Sequence, residues 1–171
     1  PSKSIIEKKR ELIGLGSFAL FLTIHILAGT VCLFTGIIAA TAKKRAGRHT
    51  FFGEIYHYAY VAVFITSIVM AIWQWGENAH LFYIALFSYG LALFGYLARK
   101  RKWKDWLVSH IVGMVGSYIG IITAVLITNQ SYLPFIKEWP SLLLWFLPTI
   151  IGTPLIFYLT SKHVSEKSES F

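Results

Sequence analysis

Five apolar runs, separated by short polar segments, dominate the hydrophobic pattern of this 171-residue chain. Each run holds at most one charged residue and is long enough, at about 18 residues or more, to cross about 30 Å of hydrocarbon as an α-helix. The strict alternation of a transmembrane β-strand is not found. The pattern therefore predicts an all-α fold, a polytopic transmembrane helical bundle with five spans. The predicted spans are Leu12–Ala42, Phe51–Trp75, His80–Ala98, Trp106–Thr128 and Ser141–Ser161.

The polar segments outside the spans predict the domain organisation. Residues 1–11 are polar and mixed in charge, and we expect them to lie at the membrane interface. Residues 12–161 form the five-helix transmembrane domain, with a kink expected in the last span at Pro148 and Pro154. Residues 162–171 are a polar tail. No segment has the pattern of a cleavable signal peptide.

Composition and charge support a membrane protein. The chain is 56% hydrophobic and only 14% charged, a balance that is unusual for a soluble domain. Of its sixteen Lys and Arg residues, four lie in Lys43–Arg48 and five in Arg99–Lys104, both between apolar runs. Such turns are typical of cytoplasmic loops that face anionic lipid headgroups. The predicted partner is therefore the lipid bilayer and not a nucleic acid.

The basic turns also predict an orientation. Because successive spans alternate in direction, both basic turns lie on one side, which the positive-inside rule makes cytoplasmic. We therefore expect a multi-pass protein of the cell membrane with its carboxyl end in the cytoplasm and its amino end outside. The single cysteine, Cys32, excludes an intramolecular disulfide and a metal site built from several cysteines.

Small residues on two spans predict close helix packing. On the first span, His25 shares one face with two glycines and Cys32, at spacings of four, three and four residues. The fourth span has a similar face, so we expect these two helices to pack against each other. A homo-oligomer remains an alternative to a monomer. The glycines concerned are Gly29, Gly36, Gly113, Gly116 and Gly120.

The histidines are the strongest candidates for chemistry, because an ionisable side chain inside a membrane span is costly and is functional by default. His25 lies deep in the first apolar run, whereas His57 and His110 lie near the predicted cytoplasmic boundary. His49 directly follows the basic turn on the same side. Imidazole and carboxylate ligands suit Zn, Fe or Cu, and imidazoles also ligate haem iron. The candidate ligands are His25, His49, Glu54, His57 and His110, with Met114, Ser117 and Tyr118 around them.

Three classes of function remain open. The leading hypothesis is an intramembrane site that binds a transition metal or haem b for redox or metal-assisted chemistry. The first alternative is a metal-free site that binds or transports a small molecule or protons. The second is an assembly or scaffold subunit. The motifs for covalent haem, serine hydrolases, phosphate loops and zinc proteases are absent from the sequence, so no reaction is predicted.

Two motifs carry a family resemblance: His25-x-x-x-Gly29 with Gly36 and His49-x-x-x-Gly53-x-x-Tyr56, and later His110-x-x-x-Met114-x-x-Ser117-Tyr118. They resemble bacterial membrane proteins catalogued as a domain of unknown function, family 2306. Members have arginine where Thr50 follows His49 here. The resemblance covers most of residues 20–125. It implies that His25, His49 and His110 are site positions, and it implies no activity.

Overall fold

The computed structural model describes residues 2–43 and 47–168, and the regular structure in these residues is entirely helical. Five of the helices are long and apolar enough to cross a membrane, which confirms the predicted fold class. A short 3-10 helix, Gln130–Tyr132, lies in the connection before the last of them. The five long helices are α1 (Ser2–Thr41), α2 (Arg48–Trp73), α3 (Trp75–Arg101), α4 (Trp106–Thr128) and α5 (Ser141–Ser168).

The helix boundaries differ from the predicted spans mainly at three places. Helix α5 continues to Ser168, through most of the predicted polar tail. Helix α1 continues back to Ser2, through the polar residues expected at the interface. The turn expected at residues 76–79 is helical, because α3 begins at Trp75 and the Asn78 N–H donates to the Gln74 carbonyl at 2.9 Å. The end of an apolar run marks the edge of the hydrocarbon, whereas backbone hydrogen bonds continue beyond it. The predicted basic turn and polar tail fall partly on residues 44–46 and 169–171, outside the described residues.

Contacts divide the chain into two compact units, Pro1–Phe82 and Tyr83–Phe171. In the first unit α1 and α2 form an antiparallel hairpin. Gly47 precedes α2 with a φ of 74°, a left-handed conformation that glycine adopts without a steric penalty. Side-chain contacts then join α1 and α2 along the whole hairpin. The contacting pairs are Phe18 with Trp73, His25 with Thr66, Cys32 with Tyr56, and Ala39 with His49.

In the second unit, small residues bring α3 and α4 into backbone contact. A Cβ added to Gly113 would lie 2.5 Å from the Gly95 nitrogen, and one added to Gly120 would lie 2.5 Å from Ser88 Cβ. Without a side chain at these positions the two backbones can approach closely, as is typical of helices that pack in a membrane.

Large apolar side chains cover the outside of the helices. Phe34, Phe87 and Ile151 expose 66%, 71% and 65% of their surface. Apolar surface spread over whole helices is covered by lipid in a membrane protein and promotes aggregation in a soluble one. The helices are thus compatible with a multi-pass membrane protein.

Candidate functional site

His25 contacts two hydroxyl groups of α2 at the seam between α1 and α2. Its Nδ1 atom lies 3.0 Å from Thr66 Oγ1 and 3.4 Å from Ser67 Oγ. The Thr66 hydroxyl donates its own proton to the Ala62 carbonyl at 2.7 Å, which is the usual bond of a threonine within a helix. Thr66 Oγ1 is therefore left as an acceptor, and His25 donates its Nδ1–H to it.

The contact between His25 and Thr66 lies deep in the hairpin. His25 is about 24 Å along α1 from the end of the helix at Thr41. Thr66 is about 10 Å along α2 from Trp73 and is buried, with 4% of its surface exposed. His25 thus lies within the apolar part of α1, nearer the Trp73 end of α2 than the end at the basic turn.

His49 and His110 donate the same ring proton to backbone carbonyls. His49 Nδ1 lies 2.7 Å from the Ala39 oxygen, which joins the first turn of α2 to the end of α1. His110 Nδ1 lies 2.9 Å from the Gly95 oxygen across the α3–α4 contact. A carbonyl oxygen can only accept, so Nδ1 carries the proton in both rings.

In His25, His49 and His110 the Nδ1 atom lies within hydrogen-bonding distance of an oxygen atom. In the neutral form of a ring that donates from Nδ1, the basic lone pair is on Nε2. Histidines that ligate a metal usually have this arrangement, in which the ring nitrogen away from the metal donates to a carbonyl or another acceptor. The same bond also satisfies a buried histidine that ligates nothing, so the bond alone does not distinguish the two.

Glu54 and His57 lie on α2 between His49 and Thr66, the residue that contacts His25. His57 is buried, with 7% of its surface exposed, and its ring meets the edge of Tyr58 at a centroid distance of 5.9 Å. Glu54 is half-buried. Along α2, His57 is about 14 Å from Thr66, so His25 and His57 mark two different levels of the hairpin.

A bare metal ion would need several of these side chains at once. Among the described residues, no three His, Cys, Asp or Glu side chains form a group that could hold a metal ion. Of the five candidate ligands, only His110 belongs to the second unit, and their joint role in binding a metal stays a prediction.

The residues predicted to surround the ligands mainly belong to the packing of α4. Ser117 is fully buried and donates to the Met114 carbonyl of its own helix at 2.8 Å. Met114 and Tyr118 are half-buried. Within the second unit, the glycines of α4 pack against α3, where Leu91 Cδ1 would lie 3.2 Å from a Cβ on Gly116. At Gly29 an added Cβ would meet no described heavy atom within 4 Å.

The hydroxyl partners of His25 on α2 were not predicted from the sequence. A signal for them was present, because a tight turn between two helices pairs residues at equal distances from it. Counting outwards from residues 44 and 45, His25 falls opposite Phe64, within about one helical turn of Thr66 and Ser67. Which hydroxyl faces the ring depends on the rotation of the two helices.

Comparisons with known proteins assign no function to these residues. No family model, curated protein or solved structure matches the chain. The resemblance to family 2306 stays a prediction.

Proposed function

We propose that this protein is a multi-pass membrane protein that binds haem through histidine Nε2 atoms. The observation that supports the proposal is that Nδ1 of His25, His49 and His110 lies within hydrogen-bonding distance of a hydroxyl or carbonyl oxygen. In the neutral form of each ring Nε2 would be the nitrogen that ligates iron, and the bond at Nδ1 would orient the ring.

The donor set fits haem better than a bare ion. A zinc or similar site takes about three or four protein ligands, and the described residues hold no such group. In haem the porphyrin itself supplies most of the iron ligands, so the protein would need to add only about one or two side chains. Imidazoles at separate levels of the helices meet that smaller requirement.

Haem, when bound, supplies reversible one-electron chemistry. This chain would bind and orient it. The contact with Thr66 would orient the His25 ring. The basic turns face the cytoplasm in the proposed orientation.

A metal-free site is the second candidate, and the pair of hydroxyls at His25 favours it. An imidazole bonded to Thr66 and next to Ser67, at membrane depth, provides hydrogen-bonding groups for a small polar molecule or a proton. This candidate places the function at His25 without any ligand at Nε2.

The visible spectrum of the protein, purified in mild detergent from cells supplied with a haem precursor, tests the proposal. We expect a Soret band that shifts on reduction, with iron near stoichiometric. His25→Gly, His49→Gly and His110→Gly each remove one candidate ligand. If the removed histidine held the haem, added imidazole should restore the Soret band that the glycine variant has lost.

His80→Gly is the matched control, because His80 is exposed near the start of α3. It should keep the wild-type spectrum. Wild-type protein with neither a Soret band nor iron rejects the haem proposal. In that case, loss of binding of a small polar molecule or a proton in both His25→Gly and Thr66→Val supports the metal-free candidate. If both variants fold and function as wild type does, the scaffold alternative is supported.

A further inference from the structure

The turn between α3 and α4 gathers positive charge at the end of a membrane-length helix. Five cations lie within six residues, all of them exposed, and Asp105 is the one acidic residue of the segment 99–106. The last turn of α3 has a partial negative charge that stabilises Arg99, Lys100 and Arg101. Lys102 and Lys104 lie beyond the helix, where the effect of the helix dipole is weaker. The five are Arg99, Lys100, Arg101, Lys102 and Lys104.

Aromatic rings hold two of these cations in place. The guanidinium carbon of Arg99 lies 5.0 Å from the centroid of the Trp106 ring, and Lys100 Nζ lies 5.2 Å from that of Tyr96. Trp and Tyr are the residues that collect at the level of lipid headgroups. The rings thus restrict the positions of both charges, which would reduce the ordering cost of binding a phosphate.

The turn itself is anchored and keeps its charge despite its backbone conformation. Trp103 is half-buried and packs against Phe94 at a centroid distance of 5.6 Å. Lys102 has a φ of 49°, in the left-handed region where glycine would be free of strain. A cation thus occupies a position whose conformation favours glycine.

We propose that the segment Tyr96–Trp106 binds the headgroup of an anionic phospholipid. Arginine side chains grip phosphate oxygens with two hydrogen bonds, and the neighbouring lysines add positive potential. A lipid suits this surface better than free phosphate because Leu93 and Phe94, just before the cations, expose 36% and 40% of their surface. These side chains are placed to contact an acyl chain below the bound phosphate.

Native mass spectrometry of the full chain, titrated with phosphatidylglycerol or phosphatidylcholine in detergent, measures the binding. We expect wild type to prefer phosphatidylglycerol. The triple variant Arg99→Gln, Arg101→Gln, Lys102→Gln should lose at least about tenfold in that preference. The matched control is Lys8→Gln, Lys9→Gln, Arg10→Gln, which removes the same charge from exposed positions of α1 and should keep it. Equal losses in both triple variants, or no loss in the first, would overturn the site.

Two further arms separate this site from general charge attraction. Trp106→Leu leaves every charge in place and should weaken phosphatidylglycerol binding about threefold, because Arg99 loses its ring. Unchanged binding would overturn the role of the ring. Millimolar inorganic phosphate should not displace the lipid, and displacement would show that the site recognises phosphate alone. The helical circular dichroism of each variant must match wild type before its affinity is compared.

Discussion

The contact between Gly113 and Gly95 makes a quantitative prediction for Gly113→Ala. The new Cβ would lie 2.5 Å from the Gly95 nitrogen and 2.6 Å from both the Gly95 Cα and the Leu91 oxygen. These distances fall short of an ordinary contact of 3.4 Å by roughly 0.9 Å. All three atoms belong to the backbone of α3, so no side chain can rotate away. The helices must separate or shift.

The expected cost follows from two opposing effects. Overpacking of a tight contact costs about 1–3 kcal/mol, and the higher helix propensity of alanine returns roughly 0.5–1 kcal/mol. Gly113→Ala should therefore lower the free energy of unfolding by roughly 0–2.5 kcal/mol relative to wild type, and by about 1–3 kcal/mol relative to an alanine substitution without the clash. Equilibrium unfolding in mixed micelles of increasing SDS content, followed by far-ultraviolet circular dichroism, measures the difference.

Gly90→Ala is the control for this prediction. Gly90 lies on α3 and is exposed, and a Cβ added there meets no described heavy atom within 4 Å. Only the gain in helix propensity remains, so this variant should equal or slightly exceed wild type in stability. If Gly113→Ala proves as stable as Gly90→Ala, the close backbone approach of α3 and α4 is refuted.

Three other predictions follow from single contacts. Cys32 has no exposed surface and its thiol donates to the Tyr56 carbonyl, so a maleimide should label it in SDS but not in native membranes; rapid native labelling would contradict the hairpin packing. Gly47→Ala should cost about 1–2 kcal/mol in SDS unfolding because alanine is strained at a φ of 74°, whereas no loss would contradict that turn. Gln130 holds the connection before α5 through the Trp139 carbonyl and the Ser141 hydroxyl, so Gln130→Ala should speed proteolysis of that connection several-fold; an unchanged rate would show that these bonds do not order it.

The sequence alone determined the fold class of this protein, because each span is a local property. A run of about twenty apolar residues must form a helix in hydrocarbon, where every backbone group needs a partner within its own segment. The same argument does not locate helix ends. Residues 76–79 read as a turn from their polarity, yet they continue α3 because the backbone is satisfied equally well beyond the lipid.

The environment of the candidate residues was decided by the tertiary structure. The sequence predicts that His25, inside an apolar run, needs a hydrogen-bonding partner. That this partner is Thr66 depends on the register and rotation of α1 against α2. The carbonyl that accepts from His110 is reachable because Gly95 and Gly113 let two backbones meet, a contact between residues eighteen positions apart. Apolar periodicity reports which side of a helix faces lipid, whereas the atoms across an interface depend on how both helices pack, and this information is not local to either one.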